Sequence, residues 1–257
     1  MSTEFKWNSK DFNAMYATCA TDDAVMLTIK NIPSKKSKIL EAGAGTGRVV
    51  KYLYDLGYKN VERIELNKEA VKNFKKKFPK IKMVQGDILK SPYRANSFDV
   101  VVAYGVVEHF TPGLQEPMVA LRRILKKNGV ALISVPSMNL IRRTQYSFER
   151  FTDLWNPYHR KTRNRGKYYI HPQFGDFFEY RLTKKEFIKA AQKAKFKVIE
   201  SMPIYHVDGM YHIFGSKLVT YKNYKFYFNK AGRLLNEILM KIPFAHNHMH
   251  MLILKKG

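Results

Sequence analysis

From Ser37 to Pro136 the chain repeats one pattern: a short run of β-branched apolar residues, an amphipathic stretch, then another apolar run. A strand buried on both faces needs continuous apolar residues, and a helix packed against it needs one apolar stripe. The alternation therefore predicts strand–helix units joined into a parallel sheet. The runs Lys38–Ala42, Val61–Leu66, Ile81–Gln85, Phe98–Ala103 and Gly129–Val135 predict five strands. Helical spacing predicts helices over Gly47–Leu56, with Val49, Val50, Leu53 and Leu56 on one face, over Lys68–Phe78 and over Glu116–Lys127. Thr183 followed three residues later by Glu186 has the spacing of a capping box and predicts a further helix. Phe196–Ser201 then reads as a sixth strand, and His248–Leu254 as a last strand running antiparallel beside it, with a helix over Ala231–Ile242 between them.

With 257 residues, 45% of them hydrophobic, the chain predicts one globular domain over 1–257, carrying cap insertions at 137–182 and 205–245. The first insertion has eleven aromatic residues and seven arginines with little periodicity, which predicts a loop-rich segment. The single cysteine, Cys19, excludes a disulfide framework and a multi-cysteine zinc site, so a reducing, cytoplasmic location is the expectation. The longest apolar stretch, Phe98–Val107, is broken by Asp99 and is far shorter than the roughly 20 residues a membrane span needs. Residues 1–10 are polar and lack the apolar core of a secretory signal. Lys and Arg outnumber Asp and Glu by 46 to 21, a net charge of +25, with the excess densest in 142–185 and 214–257. Such a surface attracts anions, whether nucleic acid, acidic headgroups or phosphorylated metabolites.

Glu41-Ala42-Gly43-Ala44-Gly45-Thr46-Gly47 falls where the first strand hands over to the first helix. Glycines there let backbone turn sharply and approach a ligand without a side-chain clash. The spacing is G-x-G-x-G, neither the G-x-G-x-x-G of a dinucleotide fold nor a P-loop ending in Gly-Lys. Glu65 ends the second apolar run, where a carboxylate can take two hydrogen bonds from a ribose diol, and Leu66 follows it. Asp87, in Gly86-Asp87-Ile88 after the third run, is placed to accept from an adenine amino group while Ile88 packs on the ring. Together these describe a pocket along the carboxyl ends of successive parallel strands.

Over residues 36–136 the sequence resembles the class I S-adenosylmethionine-dependent methyltransferases, and within them the small-molecule branch. Glu41 to Gly47 matches the acidic glycine-rich first motif, Glu65 the ribose-binding acid, and Gly86-Asp87-Ile88 the adenine loop. Phe98 to Ala103 resembles the fourth strand, with Tyr104-Gly105-Val106-Val107-Glu108-His109 following it. The family's usual Asp at the second strand is Glu65 here, after Ile64. The resemblance implies an α/β Rossmann-like sheet of seven strands with the last antiparallel, helices on both faces, and a basic, aromatic cap. It implies S-adenosylmethionine as cofactor, S-adenosylhomocysteine as product, and contacts from Tyr16, Glu41, Gly43, Ala44, Gly45, Gly47, Glu65, Leu66, Asp87, Ile88, Tyr104 and Val106, with Tyr16 closing over the methionine end.

Methyl transfer is an in-line displacement at carbon that needs alignment and a dry pocket, so no metal is demanded. His246, His248 and His250 alternate, which would set all three on one face of the last strand; strand-face histidines explain them better than a metal site does. For a hydroxyl acceptor a general base is useful, and His109, after the fourth strand, is the first candidate, with His171 and Tyr146 from the cap as further ones. The expected function is methyl transfer to an oxygen or nitrogen of a small, anionic or lipid- or sugar-linked metabolite held by the arginine-rich cap. The alternatives are an RNA methyltransferase, disfavoured by the absence of a Pro-Pro-aromatic motif after the fourth strand, and a peripheral membrane lipid or quinone methyltransferase.

Overall fold

A computed structural model of the chain describes residues 12–111, 113–152, 168–170 and 177–257. For residues 146, 148–152, 168–170 and 177–178 it describes the backbone alone. Helices α1 (Phe12–Thr18) and α2 (Asp23–Asn31) precede the alternating part, which runs β1 (Ile39–Ala42), α3 (Arg48–Asp55), β2 (Val61–Glu65), α4 (Lys68–Lys77), β3 (Lys82–Gln85), β4 (Phe98–Tyr104), α5 (Gln115–Ile124) and β5 (Leu125–Pro136). Then come α6 (Leu140–Thr152), β6 (Tyr168–Ile170), β7 (Phe177–Tyr180), α7 (Lys184–Lys193), β8 (Phe196–Ile204), α8 (His206–Phe214), β9 (Val219–Lys222), β10 (Lys225–Phe228), α9 (Lys230–Leu239) and β11 (Met249–Lys256).

The main sheet has seven strands in the order β3-β2-β1-β4-β5-β11-β8. β1 to β5 pair in parallel, whereas β11 lies antiparallel between β5 and β8, as the sequence resemblance implies. The chain order reverses between β1 and β4, and that reversal opens a crevice at the carboxyl ends of these two strands. Apolar residues cover both faces of the sheet. Leu40, Ile64, Val101, Ala103 and Ile133 pack on one face with α5 and α7, and Ile39, Val61, Val100, Val102 and Leu132 on the other with α2, α3 and α4. β1 is buried at every residue, which is why its run is apolar apart from Glu41.

The predicted boundaries shift by a few residues. β5 begins at Leu125 instead of Gly129 and shortens α5, and α9 spans Lys230–Leu239 instead of Ala231–Ile242. The capping box forms: Glu186 N–H donates to Thr183 Oγ1 at 3.3 Å, and Thr183 N–H to Glu186 Oε2 at 3.0 Å. One reading is corrected and another extended. The first insertion is not simply loop, because Leu140–Thr152 is helical and β6 pairs antiparallel with β7. The second holds, besides α9, a helix and a two-stranded hairpin, β9 with β10. Among the described residues no helix is long and apolar enough to cross a membrane.

Candidate active site at the carboxyl edge of the sheet

Gly43, Gly45 and Gly47 have φ of 69°, 50° and 78°, and Gly105, just past β4, has 65°. Four left-handed glycines therefore line one edge across two neighbouring strands, a conformation that L side chains pay to adopt. At Gly43 a β-carbon would stand 2.6 Å from Val106 Cγ2, so the two loops can meet only because a side chain is missing. At Gly47 it would stand 1.7 Å from Arg63 Nη1. Gly47 begins α3, and its N–H donates to the Ala44 carbonyl at 2.8 Å.

Behind the turn lies a buried charge cluster. Glu41 and Arg63 are cross-strand neighbours on β1 and β2, and Glu65 follows on the same face two residues on. Glu65 accepts from Gly45 N–H at 2.7 Å and from Asn67 N–H at 2.9 Å, so the carboxylate and the glycine turn hold each other in place. Arg63, fully buried, donates from Nη2 to the Gly45 carbonyl at 2.6 Å and lies 4.1 Å over the Phe74 ring. Burial pulls its guanidinium down to about 10 against the upward pull of Glu41 and Glu65. Glu41 accepts from Val50 N–H at 3.1 Å, and burial pushes its carboxyl up to about 7 although Arg63 and Arg48 oppose the rise. Sequence reasoning missed Arg63; its signal was a lone arginine inside an otherwise buried strand.

Asp87 caps its own turn by accepting from Leu89 N–H at 2.9 Å, and Ile88 is buried in the core behind it. Leu66 is 37% exposed beside Glu65, an apolar side chain free to face a ring. Ala44 is buried in the turn, and Val106 closes on Gly43. Tyr104 hydrogen-bonds Thr28 Oγ1 and the Ala24 carbonyl, which ties β4 to α2, and burial drives its phenol upward. The structure takes Tyr16 elsewhere: its hydroxyl donates to Asp55 at 2.6 Å and its ring meets Tyr52, at the far end of α3 from the glycine turn.

Beyond Tyr104 and Gly105 opens a cavity of about 490 Å³, walled by α2, the ends of β4 and β5, α8 and the β9–β10 hairpin. Asp22, Asp23, Arg48, Tyr205, His206, Asp208, Lys225 and His248 line it. Asp22 knits the wall. It caps α2, takes Arg48 Nη2 at 2.7 Å and accepts the Tyr205 hydroxyl at 2.7 Å. Burial, with Asp22 and Asp23 nearby, pushes the Asp208 carboxyl up to about 7.

His109 sits on a 3₁₀ turn with Nε2 3.9 Å from Glu108 Oε1, and it is not among the residues lining the cavity. Glu108 itself is buried with its carboxyl well above the usual range because of desolvation. Tyr146 lies on α6, and His171 is outside the described residues. The three alternating histidines do not share one strand face, since β11 begins only at Met249. His246 meets Asn236 Oδ1 at 2.8 Å, His248 meets Arg142 Nη2 at 3.1 Å, and His250 meets Ser137 Oγ at 3.2 Å.

Residues 40–133 match the family model described as a methyltransferase domain. The chain is 25% identical over 172 residues to a Mycolicibacterium smegmatis protein named "Probable S-adenosylmethionine-dependent methyltransferase", covering 67% of this chain and 56% of that one. It is 31% identical over 102 residues to the demethylmenaquinone methyltransferase of Chlorobaculum tepidum, covering 40% of this chain and 42% of that one. The matched stretches thus span about half the length of these relatives. A crystal structure of a SAM-dependent methyltransferase from Archaeoglobus fulgidus shares the fold at a TM-score of 0.58 and 12% identity, covering 95% of this chain and 94% of that one.

Proposed function

Because residues 40–133 match a methyltransferase domain and the chain is similar to S-adenosylmethionine-dependent methyltransferases, we propose that the whole chain methylates a small acceptor bound in the cavity beyond Tyr104 and Gly105. The observation that carries this reading is the glycine edge itself: four left-handed glycines with Glu65 hydrogen-bonded across to Gly45. That arrangement fits a nucleoside sulfonium. Glu65 would take the ribose diol, Asp87 the adenine amino group, Leu66 and Ile88 the faces of the base, and the backbone of Gly43, Ala44, Gly45 and Gly47 the methionyl part. Glu41 would hold the start of α3 at the cofactor's methionyl end through Val50 N–H. Tyr104 and Val106 would shape the wall between cofactor and acceptor. When bound, the cofactor supplies an electrophilic methyl on a positively charged sulfur.

What the protein adds is alignment, exclusion of water and a destination for the acceptor's proton. Asp208 is our candidate for that destination, since its carboxyl titrates near neutrality on the cavity wall. The cavity wall also bears on the acceptor. Three carboxylates face Arg48, which is already bound to Asp22, and half-buried Lys225. Of the arginines expected to bind an anion, Arg142 donates to the Ser137 carbonyl at 2.8 Å and Arg181 to Glu179 at 3.0 Å. A hydroxyl or amine acceptor able to donate a hydrogen bond suits this wall better than a phosphate does. No residue in this scheme calls for a metal.

The test is transfer of radiolabelled methyl from S-adenosylmethionine to fractionated small metabolites by the full chain. Label is expected in a compound bearing a hydroxyl or amine, with Asp208→Asn lowering the rate by about 10² to 10⁴. Label found solely in nucleic acid would overturn the acceptor assignment.

A further inference from the structure

The described part of the second insertion presents a face that the fold leaves uncovered. On α9, Leu234 is 63% and Ile238 52% exposed, one turn apart on the same side, and just past the helix Met240 and Ile242 also leave about half their surface in solvent. On the adjoining hairpin Tyr227 is about half exposed, on the ribbon face that also carries Lys222 and Lys225. The two pieces pack together, because Gly232 of α9 lies against the Leu218 carbonyl where a β-carbon would stand only 2.2 Å away. Such a strip is out of place on a surface exposed only to water.

The charge around it selects the partner. Lys217, Lys222, Lys225, Lys230, Arg233 and Lys241 fall in 214–242, against the single acid Glu237. Lys222 and Lys225 are direct cross-strand partners, brought together by a two-residue turn in which Asn223 and Tyr224 have φ of 50° and 60°. Like charges opposite each other on a ribbon repel, so this neck is suited to an anion lying across it. Nucleic acid would use the lysines and leave the leucine and isoleucines wet. An anionic bilayer uses both, with cations at the headgroups and the apolar strip in the interface.

We propose that α9 and the β9–β10 hairpin form a docking surface for an anionic lipid bilayer. Tyr224, Lys225 and Phe226 of the same hairpin also line the cavity, so the surface sets the cavity mouth beside the membrane. The inference does not rest on methyl transfer and fails separately from it.

Co-sedimentation of the full chain with phosphatidylcholine vesicles, with and without phosphatidylglycerol, tests it. Binding is expected to rise at least about tenfold with the anionic lipid, and Leu234→Glu with Ile238→Glu to lower it by a similar factor. Lys222→Glu with Lys230→Glu should remove the preference for anionic lipid. All four positions are on the surface or at its edge, and an unchanged melting temperature with undiminished S-adenosylhomocysteine binding shows that the variants fold. Equal binding to neutral and anionic vesicles would overturn the proposal. So would indifference to the α9 variants, self-association through this strip without vesicle binding, or affinity for RNA alone.

Discussion

Gly47 is the least replaceable residue of the turn, since it combines a φ of 78° with Arg63 Nη1 1.7 Å from the place of a β-carbon. Gly47→Ala should cost more than about 2 kcal/mol in chemical denaturation, through backbone strain and displacement of the guanidinium. Arg63 is second: its removal leaves Glu41 and Glu65 buried together, and Arg63→Met should cost about 3 to 5 kcal/mol. Glu41 gives the turn a signature in pH. Its carboxyl is raised from 4.5 to about 7 in the folded protein, so the fold holds the proton more tightly than the unfolded chain does. Stability should therefore fall as pH rises from about 4.5 to about 7 and level off above that, by on the order of 3 kcal/mol for this group. Denaturation midpoints for Glu41→Gln, which keeps an acceptor for Val50 N–H, should lose that part of the slope.

At the level of elements, most of the sheet could be read from the chain because local periodicity reports local burial. The runs ending at Ala42 and Glu65 are buried throughout, and the capping box at Thr183 declares its helix within four residues. Thr183→Ala should cost about 1 kcal/mol in thermal denaturation. The same logic explains the omissions. α6 carries its helical period in a segment so rich in arginine and aromatic residues that composition obscured it. The cavity wall joins Asp22, Arg48 and Tyr205, residues far apart in sequence whose hydrogen bonds exist only once α2, α3 and α8 converge. No spacing rule could have drawn them together. The junction before β11 is also a tertiary product. Burial pulls His246 down to about 4 and His250 to about 3. Histidines held below 6.5 stabilise the fold fully above that pH and lose their contribution as pH falls toward those values. His250→Gln should thus flatten the loss of melting temperature between pH 6.5 and 4.

Over the whole molecule, charge and site pull in different directions. A surface carrying +25 encloses a cavity walled by Asp22, Asp23 and Asp208. The excess cations belong with the proposed membrane surface and the cavity with the proposed acceptor, a separation that net charge alone could not reveal. The parallel half of the sheet supplies the glycine edge, β8 carries the chain out to α8 and the hairpin and β11 brings it back, and the crevice between β1 and β4 lies beside both. Cofactor recognition by Glu65 is the claim on which the rest depends, and it can be measured without knowing the acceptor. Calorimetric titration of S-adenosylhomocysteine into the full chain should show one site, weakened at least about tenfold by Glu65→Gln while Asp208→Asn leaves it unchanged. Folded protein that gives no binding heat and no thermal shift with either S-adenosylhomocysteine or S-adenosylmethionine would contradict it.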